Sequence, residues 1–151
     1  MIAFIKFLWA LPLSLLGWGV VLLNETTRIL GVINIDTGKV RVYGYNGVPW
    51  VYSVNAWVYS VNGGLLYWIF QKTGFAGLTL GQVILFRWDV DTWERLMAHE
   101  EAHVRQMERW GIIFPFLYVG EFLFHFVRTR NWMKAYYSIS WEKKAREAEE
   151  R

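Results

Sequence analysis

The sequence predicts an α+β chain with one folded domain: an apolar helix first, a small antiparallel sheet in the middle, and a helical second half. Three observations predict this. No residue is charged from Phe7 to Leu23, residues 31–86 carry the alternation and turn signals of short strands, and the rest returns to helical spacing. A length of 151 residues allows one core rather than two.

Taken as a helix at about 1.5 Å per residue, Phe7 to Leu23 spans roughly 26 Å, close to a hydrocarbon core of about 30 Å. Lys6 can snorkel and lengthen the span. A cleaved signal peptide is the competing reading, but the run ends Leu22-Leu23-Asn24-Glu25 without the small residues of a cleavage site. Residues 1–30 are therefore expected to be a membrane anchor helix and residues 31–151 the functional domain. Apolar residues make up 54% of the chain and aromatics 19%, so membrane lipid is the first expected partner. Lys6 precedes the apolar run while Arg28, Lys39 and Arg41 follow it, which puts the main domain on the cytoplasmic side of the cell membrane.

The net charge is only +3 and the basic residues are scattered, which argues against nucleic acid as a partner. Cysteine is absent, so any metal must be held by histidine and carboxylate.

Gly31 to Tyr43 reads as two short strands about an Asp36-Thr37-Gly38 turn. Trp50-Val-Tyr-Ser-Val-Asn55 recurs letter for letter as Trp57 to Asn62, too few copies for a solenoid and best taken as a duplication inside β-structure. Gly74 to Gly81 is turn-like, and Gln82 to Arg87 is a further strand. Asp91 and Glu94 have the spacing of a capping box, so a helix should begin near Thr92 and run to Trp110, where Gly111 can end it. Gly111 to Val127 is a second apolar stretch; Pro115, Glu121 and His125 interrupt it, which suits a helix packed on protein or lying partly in a membrane surface. Ser140 should start a last short helix.

Inside the Thr92–Trp110 helix stands His99-Glu100-Glu101-Ala102-His103. Histidines four apart differ by about 40° around a helix, so both imidazoles can reach one metal ion. Glu100 is swung beside that ion rather than onto it, where a carboxylate can deprotonate a metal-held water. Leu96, Met97, Val104, Met107 and Trp110 give the helix an apolar side adjoining the histidines, while Arg105, Glu108 and Arg109 form the solvated face. One zinc ion suits neutral imidazole with carboxylate and leaves a position for water. The third ligand must come from Glu121, His125, Glu142, Glu147 or Glu149. Glu142 is preferred, because it falls in the first turn of a helix, where the dipole favours an ionised carboxylate. His125 is the runner-up and a possible supporting or oxyanion-binding group, as are Tyr118, Tyr136 and Tyr137.

A His-Glu-x-x-His helix followed by a Glu on a later helix resembles the gluzincin branch of the zincin metallopeptidases. Residue by residue, the resemblance implies zinc on His99, His103 and Glu142, with Glu100 as general base, in a minimal zincin-like fold. The chain is also similar to short bacterial proteins that begin with an apolar Leu-Pro-Leu helix. The matching pieces are Trp9 to Gly17, Leu80 to Leu85, Ala98 to Gln106 with Glu108 to Gly111, and Trp141 to Ala145. Where those proteins have Asn-Pro ahead of the third-ligand segment, this chain has Ile139-Ser140. In zincins the strand before the motif helix lines the cleft and pairs with an extended substrate, which implies that role for Leu80 to Phe86.

The function expected is that of a membrane-associated zinc hydrolase acting on a peptide bond, with the oxyanion-stabilising group left open. The alternative is a zinc-stapled membrane module that recruits partners and catalyses nothing. An unligated Glu100 argues for the first.

Overall fold

The computed structural model describes residues 2–29, 50–51, 56–61, 63–87 and 93–150. The hairpin expected about Asp36 to Gly38, and Asp91 of the capping box, lie outside the described residues.

The fold is α+β. In chain order its elements are α1 (Ile2–Ile29), β1 (Trp50–Val51), β2 (Ala56–Val61), α2 (Gly64–Thr73), β3 (Gly77–Leu80), β4 (Val83–Arg87), α3 (Trp93–Trp110), a 3-10 turn (Gly111–Ile113), α4 (Phe114–Thr129), α5 (Trp132–Ser138) and α6 (Ser140–Glu149). The sheet runs β1-β2-β4-β3.

The sheet is mixed, not antiparallel throughout: β2 pairs with β4 in parallel, from Trp57↔Val83 to Val61↔Arg87. Parallel neighbours need a crossover, and α2 lies in it. Residues 65–70 are a short continuous apolar run, which periodicity alone cannot separate from a strand. Gly74 ends α2 with a left-handed φ of 77°, its N–H donating to Phe70 O. The turn-like segment after it holds β3, which forms a tight hairpin with β4 through Gly81-Gln82 and the register Leu80↔Val83. The two copies of the repeated hexapeptide adjoin, with Trp50↔Trp57 antiparallel.

β4 is buried on both faces, since alternate residues enter different clusters. Val83 and Leu85 join Val21 of α1, Val61 of β2, and Leu66, Tyr67 and Phe70 of α2. Ile84 and Phe86 join Ala56, Val58 and, from α3, Met97 and Val104. The result is three layers: α1 with α2, the sheet, then α3.

Helix α1 packs on this body from Ala10 to Asn24. Ala10, Leu13, Ser14, Gly17, Val21 and Asn24 form its buried stripe, at spacings of three and four. The Ser14 hydroxyl donates to Ala10 O and accepts from Gln82 N. Gly17 lies under β4, where an added Cβ would come within 2.7 Å of Val83 Cβ. At the far end, Asn24 Oδ1 accepts from Leu66 N and Thr27 Oγ1 from Leu65 N, so α1 satisfies the first N–H groups of α2. The opposite side, with Leu8, Leu15, Leu16, Leu22 and Leu23, is exposed.

Two helical stretches, Leu8–Thr27 and Arg95–Thr129, are apolar and long enough to cross a membrane by length and composition alone. Packing on protein covers only one side of α4, because Phe116, Val119, Leu123, Phe124 and Val127 are exposed. Its Glu121 turns inward, accepting from both Ser140 N and Ser140 Oγ, and so holds the start of α6.

Candidate metal centre

Helix α3 presents His99 and His103 one turn apart, and α6 packs across them with Glu142 in its first turn. The ring nitrogens His99 Nε2 and His103 Nε2 are 3.1 Å apart. Glu142 Oε2 is 3.3 Å from the first and Glu142 Oε1 3.2 Å from the second. His99, His103 and Glu142 therefore form a group that could hold a metal ion, with all ligand atoms within 4.8 Å of one another.

The donors fit a divalent cation. His99, His103 and Glu142 are 9%, 7% and 2% exposed, so water does little to screen them. Among the described residues Glu142 Oε2 is buried and accepts no hydrogen bond; it lies 3.3 Å from His99 Nε2, with the Arg146 guanidinium 3.7 Å away.

Each imidazole is oriented from behind. Gln106 Nε2 donates to Trp141 O at 3.1 Å, which turns Gln106 Oε1 toward His103 Nδ1 at 2.9 Å. An amide oxygen can only accept, so His103 Nδ1 carries a hydrogen, and in the neutral ring Nε2 keeps the lone pair that a metal needs. His99 Nδ1 donates to Glu149 Oε1 at 2.6 Å with the same consequence. Helix α6 thus supplies both a ligand and, two turns later, the group that aims another.

Electrostatics follow from this crowding. Burial opposes a charged His99, but the Glu142 carboxylate against its ring and the charge of Glu100 outweigh it and raise its pKa. Burial also opposes an ionised Glu142, yet the His103 and His99 imidazoles 3.2 and 3.3 Å from its oxygens hold its pKa well below the usual carboxylate range. In the metal-free chain His99 holds its proton to higher pH than a free imidazole, and a divalent cation would compete with that proton.

Glu100 is 4% exposed and stands apart from the three ligands. Burial pushes its pKa up. Thr79 Oγ1 donates to Glu100 Oε2 at 2.6 Å. Gly77 lets the carboxylate lie against β3, since a Cβ there would fall 2.3 Å from Glu100 Oε1. Tyr118 OH donates to Glu142 Oε1 at 2.7 Å. Burial, with the Glu142 carboxylate close by, drives the Tyr118 and Tyr136 phenol pKa values up, so both stay protonated.

These groups line one cavity of about 440 Å³. It contains Tyr118 and Tyr136 but neither His125 nor Tyr137. His125 sits 3.7 Å from Glu121, on the side of α4 that holds α6. Tyr137 is 53% exposed and lies under the Arg146 guanidinium. Of the other third-ligand candidates, Glu121 caps α6, Glu147 is exposed and Glu149 binds the far side of His99. Glu108, expected in solvent, accepts from Gln82 Nε2. The strand bordering the cavity is β3, because β4 is covered by β2 and β3.

Gly77, Thr79 and the Gln106 amide were not singled out by sequence reasoning. Spacing along one helix finds residues that share that helix, and Thr79 meets Glu100 from another element. Gln106 could have been found, being three residues after His103 and so on the same face. Comparison with protein-family models, with curated proteins and with solved structures gives no match to this chain.

Proposed function

We propose that this chain is a membrane-associated zinc hydrolase that cleaves peptide bonds, with His99, His103 and Glu142 as ligands and Glu100 as general base. One observation carries the reading: a second buried carboxylate, Glu100, shares the cavity with the three-residue cluster without joining it. A site that only stapled α3 to α6 has no use for such a group.

Zinc held by two imidazoles and a carboxylate lowers the pKa of a bound water and polarises a carbonyl. The remaining work falls to the chain. Glu100, its pKa raised by burial, takes a proton from the attacking water and returns it to the leaving amine nitrogen. Thr79 keeps the carboxylate from swinging onto the ligands. Tyr118 and Tyr136, both protonated, are the donors available to a developing oxyanion.

Membrane attachment is supported by the exposed apolar sides of α1 and α4. Because α1 is packed on the sheet layer from Ala10 to Asn24, a spanning α1 would carry strand edges into hydrocarbon, where their polar groups could not be satisfied. A helix lying in the membrane surface avoids that cost.

The test compares purified parent and Glu100→Gln proteins. Elemental analysis should find about one zinc in each. Only the parent should hydrolyse a quenched-peptide library in detergent. Zinc in both with hydrolysis in neither would favour the non-catalytic staple, and absence of zinc would end the reading.

A further inference from the structure

We infer that the cavity takes an uncharged, apolar stretch of extended polypeptide, admitted from the membrane-facing side through a rim of Leu78, Val119 and Trp132. This deepens the peptidase reading and rests on it.

The lining decides the chemistry. Among the described residues, every polar side chain there is one of the three cluster residues, Glu100, or their neighbours Thr79, Tyr118 and Tyr136. The rest of the described lining is apolar or glycine, with Phe75, Phe114 and Phe122 among it, and includes no Lys or Arg. An acidic substrate side chain would lose its hydration there with no described Lys or Arg to pair it, and a basic one would meet only carboxylates already held by Thr79, Tyr118 and the histidines. An apolar one gains by burial.

The rim points the same way. Leu78, Val119 and Trp132 are 37%, 51% and 56% exposed and also line the cavity, so they mark its mouth. Val119 belongs at the same time to the exposed apolar side of α4, with Phe116 and Leu123. The mouth therefore opens beside the surface proposed to meet lipid.

Strand β3 selects a polypeptide over an acyl chain. The bond from Arg87 N to Ala76 O fixes the alternation of the hairpin, so Ala76, Leu78 and Leu80 bond to β4. The N–H and C=O groups of Gly77 and Thr79 consequently turn away from β4, and among the described residues β3 is an edge strand. A peptide backbone can pair with them and a hydrocarbon chain cannot.

The test uses full-length, zinc-loaded Glu100→Gln protein in nonionic detergent, which reads binding without turnover. Two short dansylated peptides are compared by fluorescence anisotropy, identical except for a central Leu-Leu-Phe in one and Lys-Asp-Lys in the other. The apolar peptide should bind more tightly by a factor on the order of ten or more. Adding Val119→Lys, or separately Trp132→Lys, should remove that preference while zinc content and circular dichroism stay unchanged. Equal affinity for the two peptides overturns the inference, and so does a preference that survives both rim variants, which would report the micelle. Displacement by a lysophospholipid that binds more tightly than the peptide would make the cavity a lipid site, and also overturns it. Hydrolysis by the parent is scored separately, so failure of the enzyme reading is distinguishable from failure of this one.

Discussion

The Thr79 hydroxyl donates to Glu100 Oε2 at 2.6 Å, so the outer strand of the sheet aims a carboxylate that belongs to the motif helix. A hydrogen bond to a charged group contributes about 1.5–3 kcal/mol, equivalent to roughly 10- to 100-fold in rate. Thr79→Val should lower kcat/KM on a cleaved peptide by that factor while zinc stoichiometry stays at the parent value. Loss of zinc together with activity would show that the contact holds up the ligand cluster instead.

Gln106 acts on affinity rather than rate. With Gln106→Leu the His103 ring loses the acceptor that fixes its tautomer, and zinc binding should weaken by about 10- to 100-fold in chelator competition. Gln106→Glu restores an acceptor facing His103 Nδ1 and should recover part of that loss. Equal affinities in all three proteins would remove Gln106 from the site.

The pH response of the metal-free protein follows from two opposite shifts. The raised His99 pKa stabilises the fold below the ordinary histidine value of about 6.5, a contribution lost as pH rises through the higher folded value. The lowered Glu142 pKa stabilises it above the ordinary carboxylate value of about 4.3, a contribution lost as pH falls toward the folded value. The stability this pair contributes is therefore greatest between about pH 4.5 and 6.5. In chelator-treated protein Tm should decline from about pH 6 to 8, whereas with zinc added it should hold or rise as the ion displaces the proton. Differential scanning fluorimetry distinguishes the two, and parallel declines would count against zinc binding here.

Leu15 and Leu22 lie seven residues apart on the exposed side of α1. Changing both to Lys should abolish co-flotation with phospholipid vesicles, since each buried Leu contributes about 1.5–3 kcal/mol. Each exposed change should alter fold stability by only about 0.5 kcal/mol. In contrast, Gly17→Leu meets Val83 and should lower Tm through overpacking worth about 1–3 kcal/mol. Unchanged flotation of the double variant would dismiss α1 as the membrane contact.

The helices of the site were the most legible part of the sequence, because His99, Glu100 and His103 lie within little more than one turn and their spacing fixes their relative direction. The start of α6 was legible too, and the structure brings Glu142 of its first turn to both histidines. What spacing could not give was the meeting of distant segments. Residues 65–70 are apolar at every position, so neither helical nor strand period stands out, and the α2 crossover with its parallel pairing stayed hidden. Residues 74–81 read as a turn because glycines punctuate them, yet Gly77 is in β3 where Glu100 needs room. The choice of Tyr118 and Tyr136 over His125 and Tyr137 depends on which side of α4 and α5 faces α6, and that is settled by packing.

Asn24 and Thr27 complete the opening turn of α2 from a helix that the sequence alone sets apart as an anchor. Deleting residues 1–30 to obtain a handier water-soluble fragment would accordingly strip a wall from the core and leave those amide hydrogens without acceptors. Preparations should keep the first thirty residues and carry a detergent from the outset, because a trimmed product would report on a damaged protein.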